Sequence, residues 1–355
     1  MTVLLPVYNG ADVVGNAIES VLAQSWDDFE LLIIDDGSTD TTTHVIAGYA
    51  DQRIRLVHND RNLGITATLN RGLDLARGKY IARMDADDLC HPLRLERQIR
   101  FLDASPETGV VGSWTKVLST AADSRTAAAR FMARAIVYKA LRIDGYVFHP
   151  QSDAEIRFVM MLNCPLSHPS IMVRKTLIDE YDLRYEFPFA EDYEFWTRCA
   201  QRTQLANIPE VLLTYRQHSS NTSKKYAADY RACANLVRVR QLEMLGIPVD
   251  QSERDLHCEL ANYDFEGGLD DLHAAKLWLE KLVEFAIAQL GLDREGAARL
   301  VSPYWFSACA VSADEGMAAW RLFRSAAFVA DLNWWSFAWR HRLLVRCLAR
   351  RSTRI

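Results

Sequence analysis

Cysteine is sparse and shows no pairing pattern: seven residues (Cys90, Cys164, Cys199, Cys233, Cys258, Cys309, Cys347), an odd number, lie scattered with no CxxC spacing. That distribution supports neither a zinc site nor a disulfide framework, and a reducing cytoplasm is the expected setting. Long apolar runs are missing as well. No stretch reaches the roughly 20 residues of a spanning helix, and the opening Met1-Thr2-Val3-Leu4-Leu5-Pro6-Val7 is too short and too uncharged at its start for a signal peptide. Membrane contact is therefore expected to be peripheral. Neither sign of charge dominates: 41 basic against 46 acidic residues give a net charge of -5. This argues against non-specific nucleic-acid binding by the whole chain, while leaving room for a local basic patch. Two nucleotide signatures are absent too. No GxGxxG follows the first apolar run and no GxxxxGK[S/T] occurs, which excludes the dinucleotide fingerprint and the P-loop.

The 355 residues that are present are 49% hydrophobic and 25% charged, enough for two domains or one large domain with an appendage. The first third alternates two periods. A strand over 3–7 ends at the turn Tyr8-Asn9-Gly10, and Val14, Ala17, Ile18, Val21 and Leu22 then mark a helix over 11–24. A strand over 29–34, the turn Asp35-Asp36-Gly37-Ser38 and a helix reaching Tyr49, with Asp40 as its N-cap, repeat the unit. A third round gives a strand over 54–57, a loop over 58–64 and a helix over 65–76. The fourth strand, 80–84, leads into Asp85-Ala86-Asp87-Asp88. Such alternation implies an α/β fold with a mostly parallel sheet covered on both faces. Ligands of these sheets bind at the carboxyl ends of the strands, which places Tyr8-Asn9, Asp35 to Ser38 and Asp85 to Asp88 on one rim.

Three carboxylates within four positions repel one another and need a positive partner inside a fold. A hard divalent ion, Mn2+ or Mg2+, suits an oxygen-only set and keeps positions open for phosphates; the alternative is a solvated acidic turn capping the next helix. Asp36 can accept hydrogen bonds from a base or ribose, or act as a turn residue. A metal bridging to Asp87 can hold a diphosphate.

Leu5-Pro6-Val7-Tyr8-Asn9-Gly10, Ile33-Ile34-Asp35-Asp36-Gly37-Ser38-Thr39-Asp40, Asn62-Leu63-Gly64 with Leu69-Asn70-Arg71-Gly72, and Ala82-Arg83-Met84-Asp85-Ala86-Asp87-Asp88 closely resemble the donor-binding half of family 2 glycosyltransferases with the GT-A fold. The resemblance implies a Rossmann-like mixed sheet and an inverting transfer from a UDP-sugar. Tyr8 and Asp36 would flank the uracil, and Pro6, Asn9 and Asn62 would line the donor site. Asp85 and Asp87 would occupy the DxD position near ribose and metal, with Asp88 helping to hold sugar or metal. Glu191-Asp192-Tyr193-Glu194-Phe195-Trp196 resembles the family's catalytic-base motif, with Asp192 as base and Glu191 as its neighbour; unaided, both carboxylates would stabilise a helix N-terminus. Asn163-Cys164-Pro165-Leu166-Ser167-His168-Pro169-Ser170 resembles the stretch between donor and acceptor, where His168 would touch a sugar or phosphate or simply pack. Leu213-Thr214-Tyr215-Arg216-Gln217-His218 resembles the segment closing the core. There His218 would reach the metal and Arg216 the diphosphate, or both would be surface residues.

The resemblance spans about 2–223, which sets a catalytic region 1–223 (donor half about 1–118, acceptor half about 150–223) and a helical region 224–355. The helix after His91-Pro92 is read with Leu95, Ile99 and Leu102 buried and Arg94, Arg97 and Arg100 in water. Residues 110–114 and 116–118 read as further strands. Residues 126–142 read as an extra helix, either surface decoration or part of an acceptor entrance. Beyond 226, amphipathic helices are expected to break near Gly246-Ile247-Pro248, Gly267-Gly268, Gly291 and Ser302-Pro303. From Trp334, apolar positions 334, 337, 338, 345 and 348 oppose Arg340, Arg342, Arg346, Arg350, Arg351 and Arg354. This suits an anionic membrane surface or a docked helix with solvated arginines. The expected partners are a UDP-sugar and a saccharide acceptor, such as one linked to undecaprenyl diphosphate, at the inner face of the membrane. Two other classes stay open. A sugar-nucleotide nucleotidyltransferase ordinarily carries a glycine-rich, arginine-containing loop where Tyr8-Asn9-Gly10 stands. A non-catalytic sugar-nucleotide-binding assembly protein would be expected to lose Asp192 or the DxD carboxylates.

Overall fold

The computed structural model describes residues 1–119, 145–217, 226–330, 341 and 343–348. Its first part follows the alternation: β1 (Thr2–Val7), α1 (Val14–Leu22), β2 (Glu30–Asp35), α2 (Thr42–Ala47), β3 (Ile54–His58), α3 (Ile65–Leu75) and β4 (Tyr80–Arg83). Every residue of β1 is buried, as a parallel strand covered on both faces must be. Val3, Leu5 and Val7 share a core with Leu31 and Ile33 of β2 and with Val14, Ile18 and Val21 of α1. On the opposite face Leu4 meets α3 at Gly72, where a Cβ would lie 2.3 Å from Leu4 Cδ1. Glycine there lets helix and strand approach closely.

The remaining strands are β5 (Leu89–Cys90), β6 (Thr108–Ser119), β7 (Tyr146–Val147), β8 (Met172–Arg174) and β9 (Gln204–Gln217). Together they form one sheet in the order β3-β2-β1-β4-β8-β6-β9-β5, with β7 on β6. Pairing is parallel among β3, β2, β1 and β4 and between β6 and β9, and antiparallel elsewhere. The two short strands expected over 110–118 are one strand. Its register slips between Ser113, opposite Ile208, and Trp114, opposite Val211. The two residues skipped in β9 are Pro209 and Glu210, and a proline, lacking an N–H, fits a bulge.

α4 (Arg94–Ala104) buries Leu95, Ile99 and Leu102 as expected, but Arg94 is not solvated. It has no exposed surface. Its Nε donates to Gln98 Oε1 (3.1 Å), Nη1 to Cys90 Sγ (3.4 Å), and Nη2 to the carbonyls of Arg83 (2.7 Å) and Ile171 (3.2 Å). A residue at the first turn of a core-facing helix lies on the buried side when a neighbouring strand end covers it, which periodicity alone does not reveal.

The described residues divide into two compact units. The first comprises 1–119, Gly145–Ile156 and, as described, 164–217 and 226–237. The second contains Arg157–Asn163 and the described residues from Arg238 onward. In the second, Phe158, Met161 and Leu162 pack with Trp278, Trp305 and Phe328. His257 Nε2 lies 2.8 Å from the Met161 carbonyl, and Trp278 Nε1 donates to His257 Nδ1 (3.1 Å). Burial pushes that imidazole down to about 4, so it packs neutral. The helices Ala227–Met244, Gln251–Asn262, Leu269–Leu290 and Arg294–Val311 break at three of the four expected places. The fourth does not break: Pro303 lies inside Arg294–Val311. Proline cannot donate to the carbonyl four residues back, and Ser302 Oγ donates to that Arg299 carbonyl instead, at 2.9 Å. No helix among the described residues is long and apolar enough to cross a membrane. Near the C-terminus Leu343 and Cys347 are buried, whereas Val345 and Leu348 are 51% and 47% exposed. Positions 334, 337 and 338 of the expected apolar face, and the helix expected over 126–142, lie outside the described residues.

Candidate active site

The loops after β1, β2 and β3 are tied to one another by their own polar groups. Asn9, in the left-handed region at φ 50°, donates its backbone N–H to Ser38 Oγ (2.9 Å) and accepts from the Thr39 N–H through Oδ1 (2.8 Å). Pro6 is inside β1, opposite Ile34, and Tyr8 beyond it is 48% exposed. Asp36 is buried and anchors the loop after β3: its Oδ1 accepts from Asn59 Nδ2 (2.6 Å) and the Leu63 N–H (2.9 Å), its Oδ2 from the Gly64 N–H (2.9 Å). A carboxylate offers about four acceptor positions, so one of Asp36's remains. Gly37 makes the arrangement fit. It sits at φ +72°, and a Cβ there would lie 2.5 Å from the Arg61 carbonyl carbon. Asn62, in the anchored loop, is exposed.

Asp85, Asp87 and Asp88 each present an oxygen within 4.8 Å of the others. Asp88 has no exposed surface; its Oδ1 accepts from the Arg216 N–H (2.8 Å), while its buried Oδ2 has no partner among the described residues. Burial, with the charges of Asp85 and Asp87 behind it, pushes the Asp88 carboxyl up to about 9. Asp85 pairs with Arg83 Nη2 (2.6 Å), yet burial still raises it. An all-oxygen set with a raised carboxyl and an orphaned oxygen fits a hard divalent cation, which would relieve the repulsion and take up the open acceptor. Arg216 holds the loop from the other side, its Nε donating to the Asp87 carbonyl (3.0 Å).

Glu191 and Asp192 open the helix Glu191–Cys199 after Ala190, which takes the left-handed conformation at φ 52°. Phe195, Trp196 and Cys199 face the core as expected. Burial first, then the neighbouring Asp192 charge, lifts Glu191 to about 7; Asp192 is raised by burial, opposed by the Tyr193 N–H that its Oδ1 accepts (2.7 Å) and by Arg83. Asp85 acts on both acids, so the acidic loop and this helix start belong to one electrostatic cluster.

His168 lies deeper. It is buried, with Nε2 3.0 Å from the Tyr185 hydroxyl and its ring 5.9 Å from that of Trp196. Burial holds it well below the usual imidazole range, which matches the packed reading of this residue. His218 lies outside the described residues. Two residues given no role in the sequence join the cluster: Arg83, and Tyr215, whose phenol is raised by burial and by the charges of Asp85 and Asp88. For Arg83 the signal was an arginine ending an otherwise apolar strand.

The model of the family described as "Glycosyl transferase family 2" matches residues 2–153. EpsE of Bacillus subtilis, a glycosyltransferase by name, is 41% identical over 252 residues, 66% of this chain and 82% of EpsE. The chain belongs to glycosyl transferase family 2. ExoO of Rhizobium meliloti, a succinoglycan biosynthesis protein, is 42% identical to this chain over 105 residues, 30% of each. Among solved structures, Staphylococcus aureus TarS 1–349 in complex with UDP-GlcNAc superposes with a TM-score of 0.54 at 15% identity, covering 86% of this chain and 90% of that one. This likeness concerns the fold, and with the mixed sheet and its flanking helices it is the GT-A arrangement.

Proposed function

We propose that this family 2 glycosyltransferase moves a hexose or N-acetylhexosamine from a UDP-sugar to a hydroxyl of a saccharide acceptor, with inversion, in the assembly of a surface polysaccharide. The observation that carries the reading is that Asp85, which shares a carboxylate cluster with Asp87 and Asp88, acts by its charge on both Glu191 and Asp192. One side can bind a cation and a leaving diphosphate, and the other can take a proton. The UDP-GlcNAc held by TarS and the succinoglycan role of ExoO support the choice of donor and pathway class. We assign catalysis to 1–223 and an accessory helical role to 224–355, with the acceptor on a lipid diphosphate at the inner membrane face.

Asp87, with Asp85 and Asp88 beside it, would hold Mn2+ or Mg2+, which supplies positive charge to the departing diphosphate. Arg216 keeps the acidic loop in place through its two bonds to it. Asp36 and Tyr8 bound the uracil side; Pro6, Asn9 and Asn62 shape the same rim. Asp192 accepts the acceptor's hydroxyl proton as that oxygen attacks the anomeric carbon from the face opposite the diphosphate. An ordinary aspartate, near 3.9, is a weak base. Burial raises Asp192 above that range, which brings it closer to the working pH where general-base catalysis is efficient. Glu191 shares the charge and orients the helix start. His168 supports the site from behind through Tyr185.

The test is a screen of UDP-hexoses and UDP-N-acetylhexosamines for Mn2+-dependent UDP release, with Asp87→Ala as the blank. NMR of the product follows. A single displacement on a UDP-α-sugar gives a β-linkage, and an α-linked product would refute the mechanism.

A further inference from the structure

Arg83 closes β4, two residues ahead of the first acid of the loop. It is 7% exposed, and its Nη2 pairs with Asp85 Oδ1 at 2.6 Å, while Nε and Nη1 have no hydrogen-bond partner among the described residues. A guanidinium cannot shed its proton, and burying its donors unpaired costs more than burying a neutral group. Arg94 gives the internal contrast. It is buried still more completely, yet its Nε, Nη1 and Nη2 all find acceptors, as expected for an arginine whose place is purely structural.

Arg83 also acts on both halves of the cluster. It pairs with Asp85, and its charge opposes the upward push on Glu191 and Asp192. Its pair with Asp85 fixes it beside the acidic loop, which on the reading above holds the diphosphate end of the donor. Five carboxylates share this neighbourhood, so an anionic group arriving there would meet more repulsion than one guanidinium offsets. A neutral hydroxyl oxygen can accept from Arg83 without that penalty.

We propose that Arg83 reads a hydroxyl of the transferred hexose, donating from Nε or Nη1 to that oxygen, and so helps to decide which sugar is transferred. The inference rests on the UDP-hexose reading above. A site built to hydrogen-bond a substrate hydroxyl rejects an analogue lacking it by about 10⁴-fold, because buried donors are left unpaired.

The experiment measures kcat/KM for UDP release from the accepted UDP-hexose and its 2-, 3-, 4- and 6-deoxy forms, with wild type and with Arg83→Lys, which keeps a cation beside Asp85. Wild type should reject at least one deoxy donor by about a thousandfold or more. Arg83→Lys should lose about 10- to 100-fold on the parent donor, and that loss should collapse for the one donor lacking the recognised hydroxyl while persisting for the others. UDP affinity by calorimetry should stay within about threefold of wild type. If a water rather than the sugar meets Arg83, wild type shows no such selective rejection, and this overturns the inference even if the variant fails to fold. Equal loss on every donor in Arg83→Lys overturns it too. If wild type releases UDP from no UDP-sugar, the functional reading falls and takes the inference with it; activity on the parent donor separates the two failures.

Discussion

Replacing Asp88 by asparagine should stabilise the cation-free protein while abolishing transfer. Asp88 is wholly buried, one of its oxygens has no partner, and its carboxyl is pushed up to about 9 against 3.8 for a free aspartate. A raised acid contributes its full stability below the unfolded value and loses it as pH climbs toward the folded one. At pH 7 the unfolded chain has released the proton that the folded one keeps, across a gap of about three pH units. The folded state is therefore disfavoured by up to about 4 kcal/mol, a ceiling because the buried Asp85 carboxyl beside it shares the titration. Asparagine imitates the protonated acid: its oxygen can still accept the Arg216 N–H, and its amide brings donors to the place of the orphaned oxygen. The gain should be of order 1–4 kcal/mol at pH 7 and shrink to about half or less at pH 5. At about 2–4 °C per kcal/mol the melting temperature rises by several degrees. Thermal melts in EDTA at both pH values give the comparison, and Mn2+ should raise the wild-type melt more than that of Asp88→Asn. A variant that melts no higher than wild type, or a difference independent of pH, would refute the reasoning.

Glu191→Gln removes one charge from the pair that Glu191, near 7, forms with Asp192, so the acidic limb of the kcat/KM profile should move to lower pH; a limb that stays put would separate the two acids. Asp36→Asn replaces an acceptor of three hydrogen bonds by a group with one acceptor oxygen, so about 1–3 kcal/mol of loop anchoring is lost and KM for the donor should rise roughly 5-fold or more with kcat less affected. Arg94→Met strands the Arg83 carbonyl and Gln98 Oε1, and takes a second bond from the Ile171 carbonyl, which keeps the Arg83 N–H, and urea unfolding should show a loss of about 2 kcal/mol or more; less than about 1 kcal/mol would mean water replaces the guanidinium.

Local order was readable because it depends on neighbours along the chain. The strand-helix alternation through Arg83, the turns at Asn9 and Gly37, and the helix start at Glu191 all follow from periods of two and 3.6 and from residues that tolerate unusual backbone. The breaks at Gly246 and Gly291 were equally visible, since both glycines adopt positive φ. Ser302 shows the limit of such reading. Proline predicts a break from its missing N–H, and a neighbouring hydroxyl with the right reach cancels it.

Amino-acid order by itself determined the alternating first part, the rim on which Tyr8, Asp36 and Asp85 to Asp88 gather, and the resemblance that family 2 membership confirms. Only the tertiary structure decided that β6 runs unbroken beside β9, that Arg94 is buried, that His168 is packed, and that Arg83 holds two silent donors amid acids from Asp85 to Asp192. The reason is distance along the chain. A carboxyl's burial, its charged neighbours and the partners of a guanidinium come from segments about a hundred residues apart, and no local period records them.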